Sequence, residues 1–118
     1  MTYPLAVGPT TVTFSTTADT PVELSVVDPG ATPSISADGN KNAIVWAIAT
    51  KTWNGPDTKH AVVYAFDATK LGEPIYNSEQ NSQRDRAALA ARFVIPIVVN
   101  GRVYFGTRSE VEVYGLVK

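Results

Sequence analysis

From Pro33 onward the chain reads as short runs of apolar and β-branched residues, several alternating with polar ones, broken by turn residues. That pattern predicts strands. Ser34–Ala37 is the first expected strand, and Asp38-Gly39-Asn40 has the residues of a hairpin turn. Ala43–Thr50 (AIVWAIAT) is a strongly apolar strand, followed by a polar loop over Lys51–Lys59. Ala61–Phe66 (AVVYAF) is the next strand, ended by Asp67-Ala68-Thr69. Glu73–Asn77 reads as an edge strand, because Pro74 cannot donate to a ladder. Phe93–Val99, Arg102–Thr107 and Val111–Val117 complete the series, with Asn100-Gly101 as the hairpin turn between the first two. The one helix former is Gln83–Arg92 (QRDRAALAAR), rich in Ala, Leu and Arg and free of Gly and Pro, which predicts one to two turns within a connection.

The first 32 residues differ. They are rich in Thr, Pro and small residues, which disfavour helix. Thr11–Ser15 (TVTFS) and Val22–Val27 (VELSVV) are strand candidates, and Asp28-Pro29-Gly30 is a turn signal.

An internal repeat organises the rest. Pro33–Gly39 followed by Ile44–Ala47 lies over Pro96–Gly101 followed by Val103–Gly106, and Ala61–Phe66 lies over Val111–Leu116. The prolines are 63 residues apart and the matched Tyr64 and Tyr114 only 50, a difference absorbed by the longer Lys51–Lys59 loop. A four-stranded meander repeated about every 40–50 residues is the unit of a β-propeller blade. The expected fold is therefore all-β: about two four-stranded antiparallel propeller-type blades, the last completed by an N-terminal strand, Thr11–Ser15 or Val22–Val27, of this chain or of a neighbour. Residues 1–32 form the N-terminal strand segment, 33–78 the first blade, 79–92 an insertion with a short helix, and 93–118 the second, incomplete blade.

Composition narrows the function classes. The chain has 118 residues, room for one compact domain, and a net charge of −1. A near-neutral chain offers no electrostatic footprint for nucleic acid or an anionic membrane. No apolar run reaches the ~20 residues of a membrane span, and no signal peptide is visible at the N-terminus. There is no cysteine, hence no disulfide, thiolate metal site or cysteine nucleophile. The charge is uneven: residues 1–40 carry four acids and no Lys or Arg, and the remaining 78 carry ten bases and seven acids. Such asymmetry suits pairing between the ends of the chain or between copies of it.

Few residues suggest chemistry. His60 is the one histidine, and no Gly-x-Ser-x-Gly elbow supplies a nucleophile for it. Asp38, Asn40 and Asn42 place side-chain oxygens at spacing 1, 3, 5, as calcium loops do, but Ala43 and Ala49 stand where such a loop needs Gly and Glu. A plain hairpin turn accounts for them as well. Trp46 and Tyr64 lie in apolar strands, where aromatics fill cores. Trp53, among Asn54, Gly55 and Asp57, is the better candidate for a ligand, such as a sugar ring, or for a partner. Arg84 and Asp85, with Arg86 and Arg92, form a charged cluster that could bridge to a neighbouring blade.

These residues resemble the quinoprotein (pyrroloquinoline-quinone-dehydrogenase-like) β-propeller repeat family. Val63-Tyr-Ala-Phe-Asp-Ala68 and Pro96-Ile-Val-Val-Asn-Gly-Arg-Val-Tyr-Phe-Gly-Thr107 carry its repeat. More narrowly, Pro29–Ala37, Ala43–Ala47, Asn77–Asp85 and Val111–Leu116 resemble the C-terminal blades of large bacterial quinoprotein-like proteins. The resemblance spans about residues 29–118. It implies a propeller, a periplasmic or extracellular setting, and pyrroloquinoline quinone with calcium where the propeller is complete. About two blades are present here, and the vicinal disulfide that the family's alcohol dehydrogenases place beside the quinone has no counterpart. The expectation is a noncatalytic binding or assembly module without a cofactor of its own, partnered by further copies or by the remaining blades of a parent protein. The alternatives are the C-terminal part of a quinone-dependent dehydrogenase and a carbohydrate-binding module.

Overall fold

A computed structural model describes residues 5–7, 12–14, 31–50 and 59–115. The protein is mostly β. Two short strands, β1 (Leu5–Val7) and β2 (Val12–Phe14), pair with each other. Four strands, β3 (Ser34–Asp38), β4 (Lys41–Ala49), β5 (Val62–Asp67) and β6 (Lys70–Asn77), form an antiparallel meander in chain order. After the short helix α1 (Ser82–Asp85), three more strands form a second meander: β7 (Ile97–Val99), β8 (Arg102–Gly106) and β9 (Val111–Gly115).

The turns are set by local chemistry. Val99 pairs with Arg102 across Asn100 and Gly101, whose φ angles are +50° and +69°. Two successive positive φ values make the two-residue turn whose twist matches a hairpin, and Asn-Gly tolerates them best. At the β5–β6 turn the Asp67 carboxylate accepts from the Thr69 backbone N–H at 2.8 Å and from its hydroxyl at 2.6 Å. Those bonds hold the Asp67 carboxyl below the usual aspartate range. Pro74 lies on β6, an edge strand of its sheet, where a missing donor costs nothing.

Register decides which side chains face which way. Trp46 pairs with Ser34 on one side and Ala65 on the other, and Ala65 pairs with Tyr76, so these four share one face. In the second sheet Val98, Val103 and Tyr114 form the equivalent row. The two faces enclose a core of Ile48, Ala61, Val63, Ala87, Ala90 and Phe105, against which Trp46, Val94 and Tyr114 pack. The first strands of the two sheets, β3 and β7, also touch, and the Ser34 hydroxyl donates to the Pro96 carbonyl beside them.

Three expectations change. The one to two turns of helix expected within Gln83–Arg92 are the single turn α1, placed at the start of that run, and residues 86–91 run without helix. Their backbone is satisfied by tertiary partners instead. Ala61 N–H donates to Ala88 O at 3.0 Å, Ala90 N–H to Lys59 O at 3.0 Å, and Arg108 N–H to Leu89 O at 3.1 Å. Burial of Ala87 and Ala90, at 1% and 0% exposure, rewards small side chains lying flat between the sheets. Helix propensity, worth only tenths of a kcal/mol per residue, loses to that packing. Second, the strand expected from Phe93 begins only at Ile97, because Phe93 has φ +61°, outside the β region. Third, the segment Thr11–Ser15, expected to complete the last sheet, holds a strand that pairs with β1 rather than with β7 or β9. The other candidate, Val22–Val27, lies outside the described residues.

Candidate functional site

Between the two sheets, beside the apolar core, lies an open cleft of about 890 Å³. The first sheet contributes the Trp46–Ala65–Tyr76 row, Ile44 and the bulged Ile75, and the second contributes Val98, Val103 and Tyr114. Trp46 is held in place because its indole N–H donates to the Ser36 hydroxyl at 2.9 Å. The polar end is built by the connection between the sheets, where Arg84, Asp85 and Arg86 line the cleft.

Asp85 joins both sheets. Its carboxylate takes two bonds from Arg84, Nε to Oδ1 at 2.5 Å and Nη2 to Oδ2 at 2.7 Å. The Tyr76 phenol, on β6, also interacts with that carboxylate. The Asp85 backbone carbonyl accepts from the Tyr114 hydroxyl, on β9, at 2.6 Å. One turn further, the Glu112 carboxylate accepts from the Ala88 backbone N–H at 2.7 Å. Arg86 reaches Glu79 at 3.2 Å. The Arg84 hydrogen bond holds the Asp85 carboxyl below its ordinary value, with the Tyr76 phenol adding to it. Burial, then the Asp85 bond, pushes the Tyr76 phenol up to about 12, and burial raises Tyr114 as well. Both phenols therefore stay protonated and act as donors at neutral pH.

A pH prediction follows. A carboxyl held low in the fold stabilises it fully above its unfolded value, and that stabilisation disappears as the pH falls through the folded value. The melting-temperature gap between the native chain and Asp85→Asn is expected to be constant at neutral pH. It should close as the pH drops below 3.8, the ordinary aspartate value. A gap unchanged down to about pH 2 would show that the Asp85 charge contributes nothing.

The structure brings Arg84 and Asp85 together as a pair within one turn, and Asp85 also bonds to Tyr114 of the second sheet through its carbonyl. Trp53 lies outside the described residues. Asp38 pairs with Lys41 across Gly39 (φ +60°) and Asn40 at the β3–β4 hairpin, Asn42 (φ +53°) follows in β4, and Asp38 and Asn42 both line the cleft. Among the described residues, no group of three or more His, Asp or Glu could hold a metal ion. His60 is exposed, with Nδ1 2.5 Å from the Ala87 carbonyl, so Nδ1 carries the hydrogen and donates. Tyr64 lies on the opposite face from Trp46 and stacks on Phe66, ring centroids 6.1 Å apart. Sequence reading missed Tyr76, Tyr114 and Glu112 as site residues. A period-two count along β6 and β9 would put them on the inner face, but not beside Asp85.

A second feature is the outer face of the second sheet. Ile97, Val99, Val111 and Val113 are 63%, 47%, 69% and 52% exposed. Arg102 shares that face and no acid does. Among the described residues no helix is long and apolar enough to cross a membrane. No protein-family model matches the chain, and neither does any curated protein or any solved structure.

Proposed function

We propose that this chain is a noncatalytic assembly module, its two sheets serving as blades of a larger or oligomeric β-propeller of the quinoprotein-like kind. The observation that carries the reading is the outer face of β7–β9. Four branched aliphatic side chains stand in water on one face of a three-stranded sheet, beside an edge strand, β9. Exposed apolar sheet faces and open edges favour association. The chain already packs one sheet on another in its own core, so a further sheet is the natural cover for this face. The meander order and the repeat of hairpin-linked strands support the same reading.

Light scattering on a dilution series tests it. The chain is expected to self-associate. The double variant Val111→Lys/Val113→Lys should dissociate it, each lost Val contact being worth about 1.5 kcal/mol, or together roughly a hundredfold in affinity. A monomer at all concentrations, unaffected by the lysines, would overturn the assignment.

A further inference from the structure

The cleft between the sheets has a charge balance of its own. Two bases, Arg84 and Arg86, and three acids, Asp38, Asp85 and Glu112, line it, so the lining sums to −1. Both bases are committed. Arg84 places two N–H groups on the Asp85 carboxylate, and Arg86 reaches Glu79, which is not a lining residue. Two acids are left over. Glu112 takes the Ala88 backbone N–H, a neutral group, on Oε1, and no base among the described residues pairs with it. Asp38 has no hydrogen-bond or ion-pair partner among the described residues, and Lys41, opposite it in the hairpin, does not line the cleft.

The walls around these acids are apolar and aromatic: Ile44, Trp46 and Tyr76 on one side, Val98, Val103 and Tyr114 on the other. An aromatic face attracts a cation through its quadrupole, that of Trp most strongly. A bare metal ion is a poor match, because among the described residues no three carboxylate or imidazole side chains gather to ligate one. Apolar walls, aromatic rings and uncompensated acids together complement a cation that carries apolar substituents.

We infer that the cleft binds an organic ammonium ion, a quaternary one above all, its alkyl groups against Trp46 and Val103 and its charge balanced by Asp38 and Glu112. A quaternary ammonium suits the walls because it donates no hydrogen bond that apolar side chains would leave unmade. The site lies within one chain, so it does not rest on the assembly reading.

The test uses the Trp53→Phe chain, in which Trp46 is the one tryptophan left of two. Its fluorescence is titrated with choline, with the neutral isostere 3,3-dimethyl-1-butanol and with the anion 3,3-dimethylbutanoate. The three share one branched apolar cap, so charge alone separates them. Choline is expected to saturate the signal and to bind tightest, roughly tenfold tighter than the alcohol. Asp38→Asn combined with Glu112→Gln removes both charges and keeps an acceptor for the Ala88 N–H. The pair should weaken choline roughly tenfold and the alcohol less than about twofold. Raising the salt from about 0.05 to 0.5 M should weaken choline several-fold and leave the alcohol unchanged. Circular dichroism confirms that the variant is folded. No saturable response, an alcohol or carboxylate that binds as tightly as choline, or choline binding indifferent to the double variant would sink the proposal. Light scattering on the same samples keeps the two readings apart. A monomer that binds choline overturns the assembly reading alone, and an oligomer that ignores choline overturns this one alone.

Discussion

Replacing Phe105 with alanine is expected to lower the unfolding free energy by about 3–5 kcal/mol, a large part of the 5–15 kcal/mol typical of a domain. Phe105 is 3% exposed and belongs to the cluster that includes Ile48 and Val63 of the first sheet. Its ring also stacks on Tyr114, centroids 5.7 Å apart. Truncation opens a cavity where the two sheets meet, and Tyr114 loses the surface that holds its hydroxyl on the Asp85 carbonyl. Denaturant titration measures the loss. A midpoint shift worth less than about 1 kcal/mol would mean that the sheets do not pack through Phe105.

The second large effect separates two readings of residues 86–92. Ala90→Leu is expected to destabilise the fold by about 1–3 kcal/mol, the usual cost of forcing extra carbons into a packed site. Ala90 has 0% exposure and lies in the non-helical segment clamped by the Lys59 carbonyl. Were the segment an exposed helix, the same change would be almost neutral, since Leu is nearly as good a helix former as Ala. A melting curve for Ala90→Leu that overlays the native one would restore the helix and remove the clamp.

The Asp85 junction explains why the connection matters more than its length suggests. Its carboxylate meets Tyr76 of the first sheet and its carbonyl meets Tyr114 of the second. Four residues of helix bring both acceptors to one place, and the Arg84 pair keeps the carboxylate charged. Exposed ion pairs contribute little on their own. Here the pair acts by holding a bridge between two sheets.

Much of the fold is legible residue by residue. Asn100-Gly101, Asp67-Ala68-Thr69 and Asp38-Gly39-Asn40 announce their reversals because positive φ and side-chain-to-backbone bonds are properties of a few neighbouring residues. The strands β4, β5 and β8 follow from β-branched and apolar runs, whose pleat places alternate side chains on opposite faces. The all-β class and the order of hairpins are thus determined locally.

The sequence alone misleads where long-range partners outweigh local preference. Ala87–Ala91 carries a helix composition, yet its N–H and C=O groups bond to Lys59, Ala61 and Arg108, partners 19 to 31 residues away along the chain. Leu5–Val7 pairs with Val12–Phe14, although Pro4 and Gly8 beside it gave no strand signal. The cleft exists only because the inner rows of two sheets face each other, so Tyr76 and Tyr114, 38 positions apart, meet at Asp85. Local spacing determines strands and turns, because those energies depend on neighbours. The tertiary structure decided the clamp, the junction and the cleft, because their energies depend on residues that only the packing of one sheet on another brings together.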